Sequence, residues 1–183
     1  MSRLGKRPVF LPKGIEIQSE KNMVQIKGPK GTLHVSIPEG ITLAKKENEI
    51  NISAEFKKEK IPKPLSILHG LTRSLVQNAI IGVSDGFEKK LVLVGVGYRA
   101  QLKGTILDLQ IGASHPVELP IPDGIHIKID KNIIIVSGID KQKVGQFAAT
   151  VRAKKPVEPY KGKGIHYQGE YIRKKAGKTA KGK

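Results

Sequence analysis

Cysteine is absent from this sequence, and so is tryptophan. Without thiols there are no disulfides and no thiolate metal sites, a composition that fits a reducing cytosol. Only 4% of residues are aromatic, so any core must be assembled from Ile, Val and Leu. No apolar run approaches the roughly 20 residues that a membrane span requires. In Met1-Ser2-Arg3-Leu4-Gly5-Lys6-Arg7 the charges are followed by no apolar stretch, so no secretory signal is expected. The expectation is a cytoplasmic protein with no membrane partner. Acidic residues are the other scarcity: 16 Asp and Glu face 33 Lys and Arg, for a net charge of +17.

The excess of positive charge is not spread evenly over the 183 residues. The stretch Arg152–Lys183 holds 11 Lys and Arg against two acids, and the first 13 residues add Arg3, Lys6, Arg7 and Lys13. The 138 residues between hold 18 basic and 14 acidic groups, nearly balanced. A folded domain gains nothing from like charge parked at its ends, because that charge repels itself. A polyanionic partner gains a great deal, because each phosphate neutralised releases condensed counterions. An anionic membrane surface would call instead for a basic amphipathic helix, and the glycine-rich C-terminal segment is a poor helix former.

The chain also repeats itself. Ile37-Pro38-Glu39-Gly40-Ile41 returns 84 residues later as Ile121-Pro122-Asp123-Gly124-Ile125, and at the same offset Ile50–Ser53 falls on Ile134–Ser137. At an offset of 75, Gly70 falls on Gly145 and Val76 on Val151. The shift of nine fits an insertion around Glu55 to Lys63 in the first copy. Alternating patterns predict strands at Met23–Lys27 and Thr32–Ile37, joined by the hairpin Gly28-Pro29-Lys30-Gly31, and at Glu49–Ser53. Leu65, Leu68, Thr72, Leu75, Val76 and Ala79 fall at helical spacing, with Pro62 and Pro64 suited to the helix start. In the second copy, strands are predicted at Leu91–Ala100, Ile106–Ile111, Ile125–Ile129 and Ile133–Ser137. A helix capped by Asp140 follows, with Val144, Phe147, Ala148 and Val151 on its apolar face and Pro156 beyond its end. The fold class is therefore α+β: two tandem duplicated modules, each a small antiparallel-rich sheet covered by one helix, plus a basic C-terminal extension. The boundaries read as 1–82 with its basic arm, 83–155 and 156–183, the modules joining near Gly82 to Gly86.

Within the extension, charge is interleaved with rings. Three of the four tyrosines lie there (Tyr160, Tyr167, Tyr171), with His166 beside them and glycines at 162, 164, 169, 177 and 182. Lys and Arg supply phosphate contacts, rings stack on unpaired bases, and glycine lets the backbone approach a groove closely. Disordered segments seldom carry so many rings. The proximal part, 156–173, is expected to dock as an extended segment, and Lys174–Lys183 to order only against nucleic acid. The RNA-binding candidates are Arg152, Lys154, Lys155, Tyr160, Lys161, Gly162, Lys163, Gly164, His166, Tyr167, Tyr171, Arg173, Lys174, Lys175 and Lys178. Secondary candidates are Arg3, Lys6, Arg7, Tyr98 and Arg99.

Signals for catalysis are weak. Gly177-Lys178-Thr179 ends like a phosphate-binding loop, but the pattern needs glycine where Ile172 stands. Gly95-Val96-Gly97 lacks the third glycine of a dinucleotide site and sits in a strand-like run, where a bulge or a close backbone approach is expected. His34, His69, His115, His126 and His166 share no metal-ligand spacing. No cofactor, metal or small-molecule substrate is expected. The competing class is an RNA-processing or assembly factor whose catalytic set is assembled only in the fold.

The stretch Glu158-Pro159-Tyr160-Lys161-Gly162-Lys163-Gly164-Ile165 resembles the signature of the L-six family of large-subunit ribosomal proteins, in its bacterial form. The resemblance spans nearly the whole chain. Ser2–Pro8 is similar to the family's start, Gly28–Gly31 to its first hairpin, His69–Ser74 to its first helix and Leu93–Ala100 to its second-module strand. Val157 departs from the family's usual proline. The resemblance implies a structural, non-enzymatic constituent of the large subunit that supports translation. It implies contact between the second module with its extension and large-subunit rRNA near the sarcin-ricin loop, beside the docking region of translational GTPases. Tyr160–Ile165 would be the RNA-binding residues. Neighbouring large-subunit proteins are implied as partners, and the cytoplasmic ribosome as the location.

Overall fold

The computed structural model describes residues 3–20, 22–46, 48–54, 63–175 and 177. Pro62, the inserted residues before Lys63, Lys178 and Thr179 lie outside the described residues. The chain forms two compact units, Met1–Phe87 with Ile139–Lys141, and Glu88–Gly138 with Gln142–Lys183.

The first unit contains β1 (Val9–Phe10), β2 (Glu16–Glu20), β3 (Met23–Gly28), β4 (Gly31–Ser36), β5 (Ile41–Lys46), β6 (Glu49–Ala54) and α1 (Lys63–Ser84). Its strands divide between two antiparallel sheets, ordered β2-β3-β4 and β1-β6-β5. The β3–β4 hairpin closes across Gly28↔Gly31, as the Gly-Pro-Lys-Gly spacing predicts. Alternation places Val24 and Ile26 of β3 and Ile50 and Ile52 of β6 in the core. They pack with Val76, Ala79, Ile80 and Val83 of α1.

The buried stripe of α1 differs from the predicted one. Leu75 is exposed and Leu68 half-buried, whereas His69, Thr72, Val76, Ala79, Ile80 and Val83 face inward. The reason is a polar residue with a partner: His69 Nε2 donates to the Ile52 carbonyl at 2.7 Å, so a histidine occupies a core position that hydropathy alone assigns to leucine. Gly5 of the N-terminal arm is buried against the same ring, leaving no room for a Cβ. Gly82, expected at the module junction, lies inside α1.

The second unit contains most of β7 (Phe87–Val94), then β8 (Arg99–Lys103), β9 (Ile106–Gln110), β10 (Val117–Pro120), β11 (Ile125–Asp130), β12 (Ile133–Gly138), α2 (Lys141–Ala153) and β13 (Gly164–Tyr167). Its sheets are ordered β10-β9-β8 and β11-β12-β7-β13. All four residues predicted for the apolar face of α2 are buried. The single strand predicted over Leu91–Ala100 is broken: a turn at Gly95–Tyr98 separates β7 from β8. Gly97 has φ +76°, and a Cβ on Gly95 would lie 2.6 Å from Tyr98 ring carbons. Two glycines in three residues therefore make a turn rather than a strand bulge. Asp108 is buried on β9 and meets Lys103 Nζ at 2.7 Å, and this carboxylate raises the Lys103 pKa.

The repeat is visible in backbone detail. Ile41 N–H donates to Pro38 O and Ile125 N–H to Pro122 O, each at 3.3 Å, around glycines at φ +81° and +83°. The hairpins that follow share one register, Thr42↔Ser53 and His126↔Ser137. On the helices, buried His69, Thr72 and Val76 correspond at the 75-residue offset to buried Val144, Phe147 and Val151.

Candidate RNA interface

The proximal extension is part of the second unit's sheet. β13 adds to the open edge of β7 with register Gly164↔Val94, Ile165↔Leu93, His166↔Val92 and Tyr167↔Leu91. Alternation buries Ile165 completely. The expected extended docking is thus a fourth strand, which blunts an otherwise unpaired edge. No strand among the described residues of the first unit corresponds to it.

Ahead of β13 the signature residues close into a small loop. Glu158 N–H donates to Lys163 O at 2.8 Å, and Gly162 N–H to Glu158 O at 3.0 Å. Ile165 N–H donates to Lys155 O at 2.9 Å, tying the loop's exit to the end of α2. Gly162 has φ +72°. Gly164 has φ +140°, and a Cβ there would stand 2.7 Å from Pro156 O and Val157 Cα. These two positions require glycine, one for its dihedral and the other for dihedral and space together. Both glycines are buried, so they shape the loop while Tyr160, Lys161 and Lys163 stand exposed on it. Lys174 and Lys175, expected to order only against nucleic acid, fold back: Lys175 N–H donates to Pro159 O at 2.9 Å, and Lys174 passes over Gly162. The structure therefore gathers Tyr160, Lys161, Lys163, Lys174 and Lys175 around one rigid turn. Four ammonium groups and one half-open ring face solvent there.

Three other candidates, Arg152, His166 and Tyr167, make contacts within the fold. Arg152 meets Glu170 Oε1 at 2.5 Å, and its guanidinium lies 5.6 Å from the centre of the Tyr167 ring. Lys89 lies 5.6 Å from the same ring, so Tyr167 is engaged by two cations. His166 Nδ1 donates to Tyr167 O at 2.8 Å. Lys154 and Arg173 are exposed, Lys155 is half-buried, and Tyr171 is 89% exposed. Tyr98 and Arg99 sit at the Gly95–Tyr98 turn and the start of β8, with Arg99 exposed. Arg3, Lys6 and Arg7 are exposed on the first unit, where Arg73 Nε donates to Arg7 O at 3.2 Å. Lys178 lies outside the described residues.

Glu170 was not singled out from sequence, although an acid within so basic a stretch is a signal. It accepts from Tyr167 N–H at 3.0 Å and from Arg152. The Tyr167 N–H first, and the Arg152 hydrogen bond second, hold its carboxyl below the usual range. A carboxyl with a depressed folded pKa contributes stability that is present above its unfolded value and lost as pH falls through the folded one. Acidification below about pH 4 is therefore expected to loosen the strap after β13. Amide exchange at residues 167–170 should rise on acidification relative to exchange in β11 and β12, after correction for intrinsic rates. In Glu170→Gln the rise should already be present at neutral pH.

Among the described residues, no group of three or more His, Asp or Glu could hold a metal ion, and no helix is long and apolar enough to cross a membrane.

Fold and surface together define a duplicated α+β protein that presents a rigid cationic loop suited to a folded polyanion. The chain belongs to the ribosomal protein L6 family: the family model, Ribosomal protein L6, matches residues 11–86 and again residues 94–168. The two matches reproduce the duplication, and the second runs through β13. The chain is 51% identical over 181 residues to Large ribosomal subunit protein uL6 of Protochlamydia amoebophila (strain UWE25), with 98% of each chain covered. To the protein of that name from Synechococcus sp. (strain JA-3-3Ab) it is 50% identical over 184 residues, covering 100% of this chain and 99% of that one. To that of Moorella thermoacetica it is 51% identical over 184 residues, covering 100% and 98%.

Proposed function

We propose that this protein is a structural, non-enzymatic constituent of the large ribosomal subunit that binds large-subunit rRNA and so supports translation in the cytoplasm. One observation carries the reading. A loop closed by its own backbone bonds presents Tyr160, Lys161 and Lys163 to solvent, in a chain that matches proteins named for the large subunit from end to end. Rigid positioning lowers the ordering cost of binding, and clustered ammonium groups supply the phosphate contacts.

The finer reading keeps three functional parts: the first module over 1–82, the second over 83–155, and the rRNA-binding extension over 156–183. The second module and extension contact rRNA near the sarcin-ricin loop, beside the region where translational GTPases dock, among neighbouring large-subunit proteins. Chemical footprinting of large-subunit rRNA with the full-length chain tests this. Protection is expected at the sarcin-ricin loop or the helices adjoining it, with RNA strands remaining intact throughout. Protection scattered evenly over the rRNA, or strand cleavage, would count against the assignment.

A further inference from the structure

We infer that the RNA-binding surface is composite, with Val96 as an apolar wedge that enters the minor groove of an A-form RNA helix while the extension's lysines hold the flanking phosphates. The inference rests on the RNA-binding reading above and assigns a second contact within it.

Strand register brings the two parts together. Gly164 pairs with Val94, and the strands are antiparallel. The lysine loop ends at Lys163, just before Gly164, and the Gly95–Tyr98 turn begins just after Val94. Both loops therefore leave the same end of one two-strand ladder, whose strands lie about 4.8 Å apart. A ligand seated on Lys161 and Lys163 meets the turn as its next neighbour.

The turn is built to present its tip. Val96 is 91% exposed. A β-branched apolar side chain in that position gains nothing from the fold. Behind it the Tyr98 ring packs on the Cα of Gly95, and a Cβ on Gly112 would lie 3.5 Å from the ring's other side. The ring thus ties the turn to the 111–116 loop and fixes the direction of Val96. In this role Tyr98 is a positioning residue and does not stack on a base. Arg99 stands exposed beside the turn.

Charge and shape select RNA as the occupant. Residues 95–105, 111–116 and 159–169 contain no Asp or Glu; the exposed acids nearest to them are Glu158 at the entrance of the lysine loop and Asp130 on the β11–β12 hairpin, outnumbered by Arg99, Lys103, Lys161 and Lys163. The minor groove of A-form RNA is wide and shallow and lined by riboses. A short branched apolar tip fits against sugar faces there, and Arg99 and the loop lysines reach the backbone on either side. Such a contact reads helix shape and adds little salt dependence, unlike the lysines.

The test uses hydroxyl-radical footprinting, which reports on riboses, and salt-dependent binding of the full-length chain to large-subunit rRNA. Because Val96 and the lysines are exposed, the variants should melt like the parent. Val96→Ala is expected to weaken binding about fivefold, as removing the area of two methyl groups implies, and to leave the salt slope unchanged. Val96→Asp should erase one patch of ribose protection. Tyr98→Phe, which keeps the ring, should bind like the parent. The pair Lys161→Ala and Lys163→Ala should flatten the salt slope by about two instead. Parent-like affinity and footprint for both Val96 variants, with the lysine pair still flattening the slope, overturn the wedge and leave the RNA-binding reading standing. A lysine pair without effect on the slope overturns both. If Val96→Asp binds rRNA normally but fails to enter subunits, the tip meets a protein and the wedge is again overturned.

Discussion

Replacing Lys161, Lys163, Lys174 and Lys175 together by alanine is expected to weaken binding to large-subunit rRNA on the order of 10²-fold at moderate salt, and to flatten the plot of log affinity against log salt by about three to four. The four side chains are exposed and surround one loop, so their loss removes phosphate contacts without removing core. Lys175 holds the chain back through its N–H to Pro159 O, which alanine retains. The loss should be nearly uniform across RNA sequences, because phosphate contacts position a protein and carry little base information. Filter binding or fluorescence anisotropy from about 50 to 200 mM salt, beside a thermal melt of each protein, checks the expectation. An unchanged slope in a chain that melts normally would move the binding site away from the signature loop.

The second large effect concerns Ile165. It is fully buried on β13, opposite Leu93 of β7. Ile165→Ala is expected to cost about 2–5 kcal/mol, the transfer term plus the cavity left behind. Units of this size have thin stability margins, so the loss should appear as a lower urea midpoint at an unchanged m-value. Binding should fall as well, because the lysine loop is anchored at Lys155, Gly164 and Ile165, and a detached β13 frees its exit. Ile165→Val should cost only about 0.5–1.5 kcal/mol and keep the loop in place. A cost well under 1 kcal/mol for Ile165→Ala would mean that β13 is not an integral strand. A chain ending at Val151 would lose Ile165 from the core along with the lysines, so its binding would report on fold and phosphate contacts together.

Legibility from sequence followed the range of the interactions involved. The hairpin at Gly28–Gly31, the α2 face and the twice-used Ile-Pro-acid-Gly-Ile turn depend on residues a few positions apart, and pattern exposes them directly. The α1 face departs from the apolar spacing because a hydrogen bond from His69 to a residue 17 positions away makes a polar side chain a good core residue. The turn at Gly95–Tyr98 has the pattern of a strand because its neighbours alternate correctly, and only the packing of the Tyr98 ring on Gly95 shows why the chain bends there. Within the site, the charge pattern points to the lysines and the signature and carries no sign of the contacts that Arg152 and Tyr167 make. Their partners, Glu170 and Lys89, became visible only once the chain was folded.

Sequence by itself determined the duplicated α+β plan and the concentration of positive charge in the C-terminal segment, because periodicity and charge are local properties of the chain. Tertiary structure alone decided which cations face outward and which are tied down, that the extension is a strand of the second unit's sheet, and that the glycine turn after β7 stands beside the lysine loop. Those outcomes depend on pairing between residues about 70 positions apart, Val94 with Gly164, and the choice of such a partner is set by which edge of a folded sheet remains open.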